Sequence, residues 1–478
     1  MLWLGLHFPD LPLEVFTRAD PAPDPLVVSE GQGRTQRVLH ANAAAARCGI
    51  APGLRVSAAL ALARGLRVLA RNPDHERRAL QRLAAWAGQF SSLVHVEAPQ
   101  ALLLEVGGSL RLFGGLENLL TQVELGLTEL GYTAQLAVAP TRLAATWLAR
   151  AGRDVQITTS AQLAGALGEL PLAVLDLSPE AIARLNGMGI GRLGDCLRLP
   201  REGLARRLGS EFVARLDRAR GQLPDPRAPF VPPASFESRL ELPGTVENVE
   251  GLVFALRRLV VELCGELRAR SAGVMRLVLT LAHPKAAASV IELGLVAPTR
   301  DPKHLTELFR ERLAQLELPE PVEALTLSVA QFLPVGTPNL DLFTPRQVSE
   351  ESAAALIERL RARLGSEAVH GLEVVAEHRP ERAYGYAAAK AVPVAVTGGE
   401  RPLWLLPEPV PLRLSDGQPW IGSNLKLESS AERIESGWWD EADIGRDYFV
   451  ARNRGGECYW IFRELQPPRR WWLHGIFG

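Results

Sequence analysis

The spacing of apolar and polar residues changes several times along the first 140 positions, and each change marks an element. Residues 2–8 alternate loosely, which predicts a strand. Asn72-Pro73-Asp74 then opens a helix over about 73–89, with Leu80, Leu83, Ala84 and Ala87 on one face. Short strands at about 93–97 and 101–106 follow. Next comes a helix over about 116–130, where Leu116, Leu119, Leu120, Val123, Leu127 and Leu130 recur at helical spacing. A strand at 133–138 completes the order βαββαβ, a ferredoxin-like pattern with about residues 10–72 inserted after its first strand.

A second βαββαβ run spans about 236–332: strand 236–242, helix 247–270, strands 274–282 and 289–296, helix 302–316 and strand 322–332. Residues 166–223, between the two runs, are helical and Arg-rich. Pro224, Pro226, Pro229, Pro232 and Pro233 then form a stiff tether, which predicts that the second run is an independently placed module. Residues 345–370 read as a helix with Ala354, Leu356, Ile357, Leu360 and Leu364 inward, and a Pro-rich stretch near 393–411 leads to a tail. Seven of the ten tryptophans lie in the last 78 residues, among alternating runs such as Tyr459-Trp460-Ile461-Phe462 that predict a small β module. The adjacent pairs Trp438-Trp439 and Trp471-Trp472 would point to opposite faces of a strand. One member of each pair is then free for a partner, and a plain aromatic core is the other reading.

Composition narrows the classes. The 53 Lys+Arg against 54 Asp+Glu leave a net charge of -1, so any nucleic-acid contact must come from local asymmetry. Of the basic residues 49 are Arg and 4 Lys, a skew that makes any single Arg weak evidence. Cys48, Cys196, Cys264 and Cys458 are too dispersed for a disulfide framework or paired zinc ligation, and they suit a reducing cytoplasm. No apolar stretch is long enough for a membrane span, and the start lacks the basic flank of a secretion signal.

Two local patterns point to DNA. Residues 34–71 hold seven Arg (Arg34, Arg37, Arg47, Arg55, Arg64, Arg67, Arg71) and no acid. Such a segment can neutralise several phosphates, and a solvated surface is the alternative. Gly189-Ile190-Gly191-Arg192-Leu193-Gly194 spells G-x-G-x-x-G, yet Ser178-Pro179-Glu180 caps a helix before it where a dinucleotide fold requires a strand. Helix, Gly187-Met188-Gly189-Ile190-Gly191, helix instead reads as a helix-hairpin-helix, whose glycines and amides would meet a phosphate near Arg192; an ordinary αα-hairpin turn remains open. Residues 180–227 carry ten Arg and six acids, which favours DNA.

This layout resembles the Y-family translesion DNA polymerases over about residues 1–336. The resemblance implies an α+β right hand: a palm at 1–10 and 72–165, basic fingers at 11–71, a helix-hairpin-helix thumb at 166–223, a linker at 224–233 and a ferredoxin-like little finger at 234–336. The family's first strand carries V-D-x-D-x-F-[FY]-A-x-[VI]-E. Leu4-Gly5-Leu6-His7-Phe8-Pro9-Asp10-Leu11-Pro12-Leu13-Glu14 aligns to it with Gly5 and His7 at the metal-binding Asp positions. The second acidic motif, D-E-A-[YF]-L-D-V, falls on Gln100-Ala101-Leu102-Leu103-Leu104-Glu105-Val106 when anchored at its final acidic-Val pair, which puts Gln100 and Ala101 in place of its carboxylates; a shift by one puts Pro99 and Gln100 there, and neither register supplies a carboxylate. The Y-x-A-R triphosphate clasp falls on Ala43-Ala44-Ala45-Ala46, with Arg47 one place late. Two-metal phosphoryl transfer needs several carboxylate oxygens around Mg²⁺. The resemblance therefore implies no catalytic residue, metal or cofactor, and points to the mutasome branch of the family, which keeps the shape without the chemistry. Leu2-Trp3-Leu4, Glu435-Ser436-Gly437-Trp438-Trp439, Arg446-Asp447-Tyr448-Phe449-Val450 and Trp472-Leu473-His474-Gly475-Ile476-Phe477 are similar to that branch.

Asn339-Leu340-Asp341-Leu342-Phe343 is similar to the Q-L-[SD]-L-F peptide by which bacterial polymerases bind the sliding clamp, with Asn in place of Gln. It sits in a predicted extended segment, 337–345, between Pro338 and Pro345. The implied role is an adaptor in damage-induced (SOS) mutagenic synthesis and DNA repair, cytoplasmic and nucleoid-associated. Its implied partners are primer-template DNA, the clamp, an error-prone replicative-type polymerase and a RecA-like accessory protein, with the region 346–478 and its tryptophans meeting protein partners. Residues 234–336 carry eleven basic and thirteen acidic side chains, which departs from a basic DNA clamp. The competing expectation is an active polymerase with rearranged ligands such as Asp10 and Glu105.

Overall fold

The computed structural model describes residues 1–19, 24–335, 346–365, 368–387, 401–440 and 442–478, in two compact units, Met1–Arg363 and Leu364–Gly478. Alternation along β1 (Trp3–His7) sends Leu4 and Leu6, with Phe8 just beyond, into one core and Trp3 into another on the opposite face. After α1 (Leu11–Thr17) the chain leaves this sheet to form β2 (Leu26–Glu30), β3 (Arg37–Ala41), α2 (Ala43–Arg47), α3 (Val56–Leu62) and β4 (Arg67–Ala70). These make a three-stranded sheet, β3-β2-β4, over a core that includes Val27, Val38, Ile50 and Val56. The basic insertion is thus a small folded body.

The interrupted pattern resumes with α4 (Pro73–Ala87), β5 (Val94–Glu97), β6 (Ala101–Glu105), α5 (Leu116–Leu130) and β7 (Gln135–Ala139), within two residues of the sequence expectation at each end. The sheet order is β5-β6-β1-β7-β8, where β8 (Val155–Gln156) adds a parallel edge. α6 (Arg142–Arg150), which the sequence reading does not assign, covers the Trp3 face; Thr141 caps it by accepting the Ala144 N–H. The same core continues into five helices: α7 (Ser160–Gly168), α8 (Pro179–Gly187), α9 (Leu193–Leu197), α10 (Arg201–Leu208) and α11 (Ser210–Ala219).

The second run forms as expected in its elements: β9 (Phe236–Val246), α12 (Val249–Ala269), β10 (Ala272–Ala282), β11 (Ser289–Thr299), α13 (Pro302–Leu313) and β12 (Val322–Val329), with β13 (Leu333–Pro334) added on β10. Its sheet order is β11-β10-β12-β9, whereas the first sheet inserts its hairpin strand β6 beside β1. Element order alone does not decide which strand is inserted.

The expectation of an independently placed module does not hold, because α12 packs on α4 and α5 within the first compact unit. Trp86 of α4 lies between Gly126 of α5 and Gly265 of α12, and a Cβ at either glycine would collide with the indole. Arg18, just past α1, is buried against α12, with Nη2 3.0 Å from Glu262 and Nη1 2.6 Å from the Tyr132 hydroxyl. Arg82 adds a bond of 3.2 Å to Glu266. The proline tether is itself strapped to the first sheet: Phe230 N–H donates to the Val94 carbonyl (2.7 Å), and Arg227 pairs with Glu97 and Asp225. Proline stiffness says nothing about partners on neighbouring strands, which is why the sequence misses the strap.

α14 (Arg346–Leu364) follows. Its buried face carries Glu358 and Ala362; Leu356, Leu360 and Leu364, expected inward, point to solvent, and Ala354 and Ile357 are half-buried. Glu358 is drawn inward because it accepts the Val296 N–H at 2.6 Å and meets His304 at 2.5 Å.

The second unit pairs β14 (Gly371–Val374) with β15 (Tyr384–Ala387) and then continues through β16 (Trp404–Pro411), β17 (Arg413–Ser415), β18 (Gln418–Ile421), β19 (Ser423–Asn424), β20 (Lys426–Leu427), β21 (Glu432–Ser436), β22 (Ile444–Arg452), β23 (Cys458–Glu464) and β24 (Trp471–Ile476). The main sheet runs β16-β24-β23-β22-β20, with one small core on each face, around Ile461 and around Trp460. Among the described residues no helix is long and apolar enough to cross a membrane.

Candidate nucleic-acid interface and the strand ends

The register of the first sheet decides which of the sequence-derived metal positions can meet. His7 stands opposite Ala101 on one side and Gln135 on the other, and the Gln100 carbonyl accepts the Phe8 N–H at 2.8 Å. His7, Gln100 and Ala101 therefore gather at one end of the sheet. Gly5 does not join them. It lies two residues deeper, opposite Leu103 and Ala137, where a Cβ would stand 2.5 Å from the Ala145 carbonyl oxygen of α6. No side chain fits there.

The two carboxylates that a rearranged site would use are otherwise engaged. Asp10 lies 3.3 Å from His40 Nδ1, and that contact lowers its pKa. Glu105 sits opposite Trp3, four residues along β6 from Ala101, or roughly 13 Å at strand spacing. Its two oxygens accept the Leu2 and Gly108 N–H groups at 3.1 and 3.3 Å. Asp10 and Glu105 are thus at opposite ends of the sheet and cannot form one site. Burial, and after it the charge of Arg150, lowers the pKa of His7. An imidazole, an amide and a methyl do not fit the hard-oxygen octahedron that Mg²⁺ requires, so these three groups support no metal-dependent step. Among the described residues no three His, Cys, Asp or Glu side chains are gathered to hold a metal ion.

The insertion keeps much of its charge free. Arg37, Arg47 and Arg55 are exposed and have no acid partner among the described residues; Arg37 Nη1 donates to the Gly53 carbonyl at 2.7 Å. The side chain of Arg34 lies outside the described residues. Arg71 is withdrawn from the basic set, because it bonds Glu76 at 2.8 and 2.9 Å and Glu30 at 2.8 Å. Both acids lie just outside the window that made the segment look uniformly basic.

α8 and α9 do form a hairpin, with Leu185, Ile190 and Leu193 buried beneath it and Gly189 at φ +76°. Its amides are not open to a phosphate. The Gly191 and Arg192 N–H groups donate to the Asp195 carboxylate at 3.2 and 3.1 Å, the Gly189 N–H donates to the Asn186 carbonyl, and the Arg192 guanidinium pairs with Glu169. Gly187 ends α8. The signal was legible: an acid at the third position of a helix commonly turns back to cap it. Exposed Arg184 remains on α8, and exposed Arg206 and Arg207 on α10.

The clamp-like peptide Asn339-Leu340-Asp341-Leu342-Phe343 lies outside the described residues. In the tail, Trp438 and Trp439 occupy a turn between β21 and β22, so both are exposed, where strand geometry would have exposed one. Trp471 and Trp472 do take opposite faces of β24, but each is half-buried, against Phe449 and Phe462 respectively. They serve the two small cores.

Comparison with known proteins gives one family and one full-length relative. Residues 12–150 match the impB/mucB/samB family. The chain is 29% identical over 463 residues to Protein ImuB of Caulobacter vibrioides, in strain NA1000 / CB15N and in strain ATCC 19089 / CIP 103742 / CB 15, covering 90% of this chain and 100% of that protein. Among solved structures, a Dbh ternary complex and DinB from Sulfolobus solfataricus each superpose at TM-score 0.40 with 17% identity, over 70% of this chain and 100% of theirs. Residues 12–150 thus resemble the impB/mucB/samB family, and the chain as a whole is similar to Protein ImuB.

Proposed function

We propose that the chain is a non-catalytic Y-family homologue that holds primer-template DNA and the sliding clamp, and recruits an error-prone replicative-type polymerase and a RecA-like accessory protein of the ImuA type during damage-induced mutagenic synthesis. The observation that supports the non-catalytic reading is the strand end: His7, Gln100 and Ala101, which the motif alignment sets at the metal-binding positions, gather there, and the Ala145 carbonyl fills the space beside Gly5. The parts of the right hand keep the roles that the resemblance implies, with 1–10 and 72–165 as palm, 11–71 as fingers, 166–223 as thumb and 234–336 as little finger.

In this reading DNA is held by side chains more than by amides. Arg37, Arg47 and Arg55 project from the fingers, and Asp195 already occupies the hairpin amides. Phosphate contacts of this kind release counterions, so affinity falls steeply with salt and shows little sequence preference. Leu340, Leu342 and Phe343 would anchor the clamp peptide, and the tail would meet the protein partners.

A shift assay over a salt series tests the DNA role. Replacing Arg37, Arg47 and Arg55 by Ala lowers the slope of log Kobs against log salt by about 0.9 for each phosphate that is no longer neutralised. An unchanged slope contradicts it.

A further inference from the structure

The turn between β21 and β22 holds two tryptophans side by side in solvent. Trp438 is 80% exposed and Trp439 56%, with ring centroids 5.5 Å apart and planes at 85°. The backbone beneath them is fixed. Gly437 has φ +93°, and the Ala442 carbonyl leaves no room there for a Cβ. Arg379, with a side chain 3% exposed, grips Asp440 through two bonds of 2.9 and 2.8 Å. The same guanidinium reaches Glu377 at 2.7 Å and the Ala442 carbonyl at 3.3 Å, and lies 5.6 Å from the centre of the Trp439 ring. Glu377 in turn accepts the Ser436 hydroxyl at 3.0 Å, and Arg382 adds a bond of 2.5 Å to Asp440. One buried guanidinium thus locks the turn from both ends, and the backbone that carries the rings has little freedom left to lose on binding.

We propose that this turn is a preformed two-tryptophan finger that enters an apolar pocket of a protein partner whose rim carries Lys and Arg. The proposal rests on the adaptor reading above and names the chemistry of a surface that reading requires. Residues 434–445 contain Glu435, Asp440, Glu441 and Asp443 and no Lys or Arg. Arg379 and Arg382 are both committed to Asp440, whereas exposed Glu435 and Asp443 enter no ion pair among the described residues. An anionic rim repels nucleic-acid phosphates and anionic lipid headgroups, which removes base stacking and membrane-surface insertion as uses for the exposed rings. It attracts a cationic rim, and a rigid tryptophan is the residue type whose truncation most often dominates a protein interface.

The test titrates the purified replicative-type polymerase and the RecA-like protein, separately, against the full-length chain, its Trp438→Ala variant and a Glu435→Lys/Asp443→Lys variant. Trp438→Ala weakens at least one partner tenfold or more and leaves DNA and clamp affinity and the melting temperature unchanged. The charge reversal weakens the same partner severalfold and flattens its salt dependence. Unchanged affinity of both partners for Trp438→Ala overturns the finger and leaves the adaptor reading standing. No binding of either partner to the unaltered chain overturns both. A charge-reversed variant that binds as tightly as the original overturns the basic rim. Loss of single-stranded DNA binding on Trp438→Ala would instead make the finger a base-stacking device.

Discussion

A Cβ on Gly5 would stand 2.5 Å from the carbonyl oxygen of Ala145, so α6 closes the first sheet where an aligned carboxylate would have to project. Gly5→Ala therefore forces β1 and α6 apart and lowers stability by about 1–3 kcal/mol, and Gly5→Asp lowers it further by placing a charge against a carbonyl. Denaturant unfolding of the two variants checks this. A neutral Gly5→Ala would show that α6 is not fixed on the sheet.

The contact between Arg18 and Glu262 joins the first sheet's helices to α12 with both side chains buried. Removing one partner strands the other charge, so Arg18→Met or Glu262→Met alone costs about 3–5 kcal/mol, and the double replacement recovers most of it. A double-mutant cycle by urea unfolding measures the coupling. Strict additivity would mean that the two charges do not act as a pair.

Glu14 supplies a pH dependence. Burial pushes its carboxyl up to about 7, although one oxygen accepts the Thr133 N–H at 2.8 Å. A carboxyl whose folded pKa lies above its unfolded value contributes stability fully below the unfolded pKa, near 4.5, and loses it as pH rises through the folded value. Glu14→Gln keeps the acceptor without the titration. From pH 5 to pH 8 the unaltered chain therefore loses about 1–3 kcal/mol relative to Glu14→Gln. Parallel stability curves would refute the assignment.

The clamp peptide gives a direct binding prediction. Leu342→Ala with Phe343→Ala removes both apolar anchors and lowers clamp affinity at least tenfold, about 1.4 kcal/mol, in calorimetry. Unchanged affinity would reduce the pentapeptide to a chance match.

Local patterns made much of the fold legible. The helices at 73–89 and 116–130 and all six elements of the second run were readable because their apolar spacing is regular, and Asn72 marks the start of the first of these helices by a local signal. What could not be read depends on distant partners. Glu358 is buried on α14 in place of the leucines because of a backbone amide on β11 and an imidazole on α13. The proline linker is strapped to β5, and α12 docks through Trp86 and two glycines. At the candidate site, the identities of Gly5, His7, Gln100 and Ala101 were plain. Their grouping was not, since only the β1–β6 register separates Gly5 from the other three and Asp10 from Glu105.

Primer extension by the purified chain alone, in Mg²⁺ and separately in Mn²⁺ beside an active polymerase, tests the non-catalytic reading most directly, with a shift assay on the same DNA. The expected result is retained DNA binding and no added nucleotide in either metal. Extension that Asp10→Ala or Glu105→Ala abolishes would contradict it, and would make this chain a polymerase with its ligands rearranged.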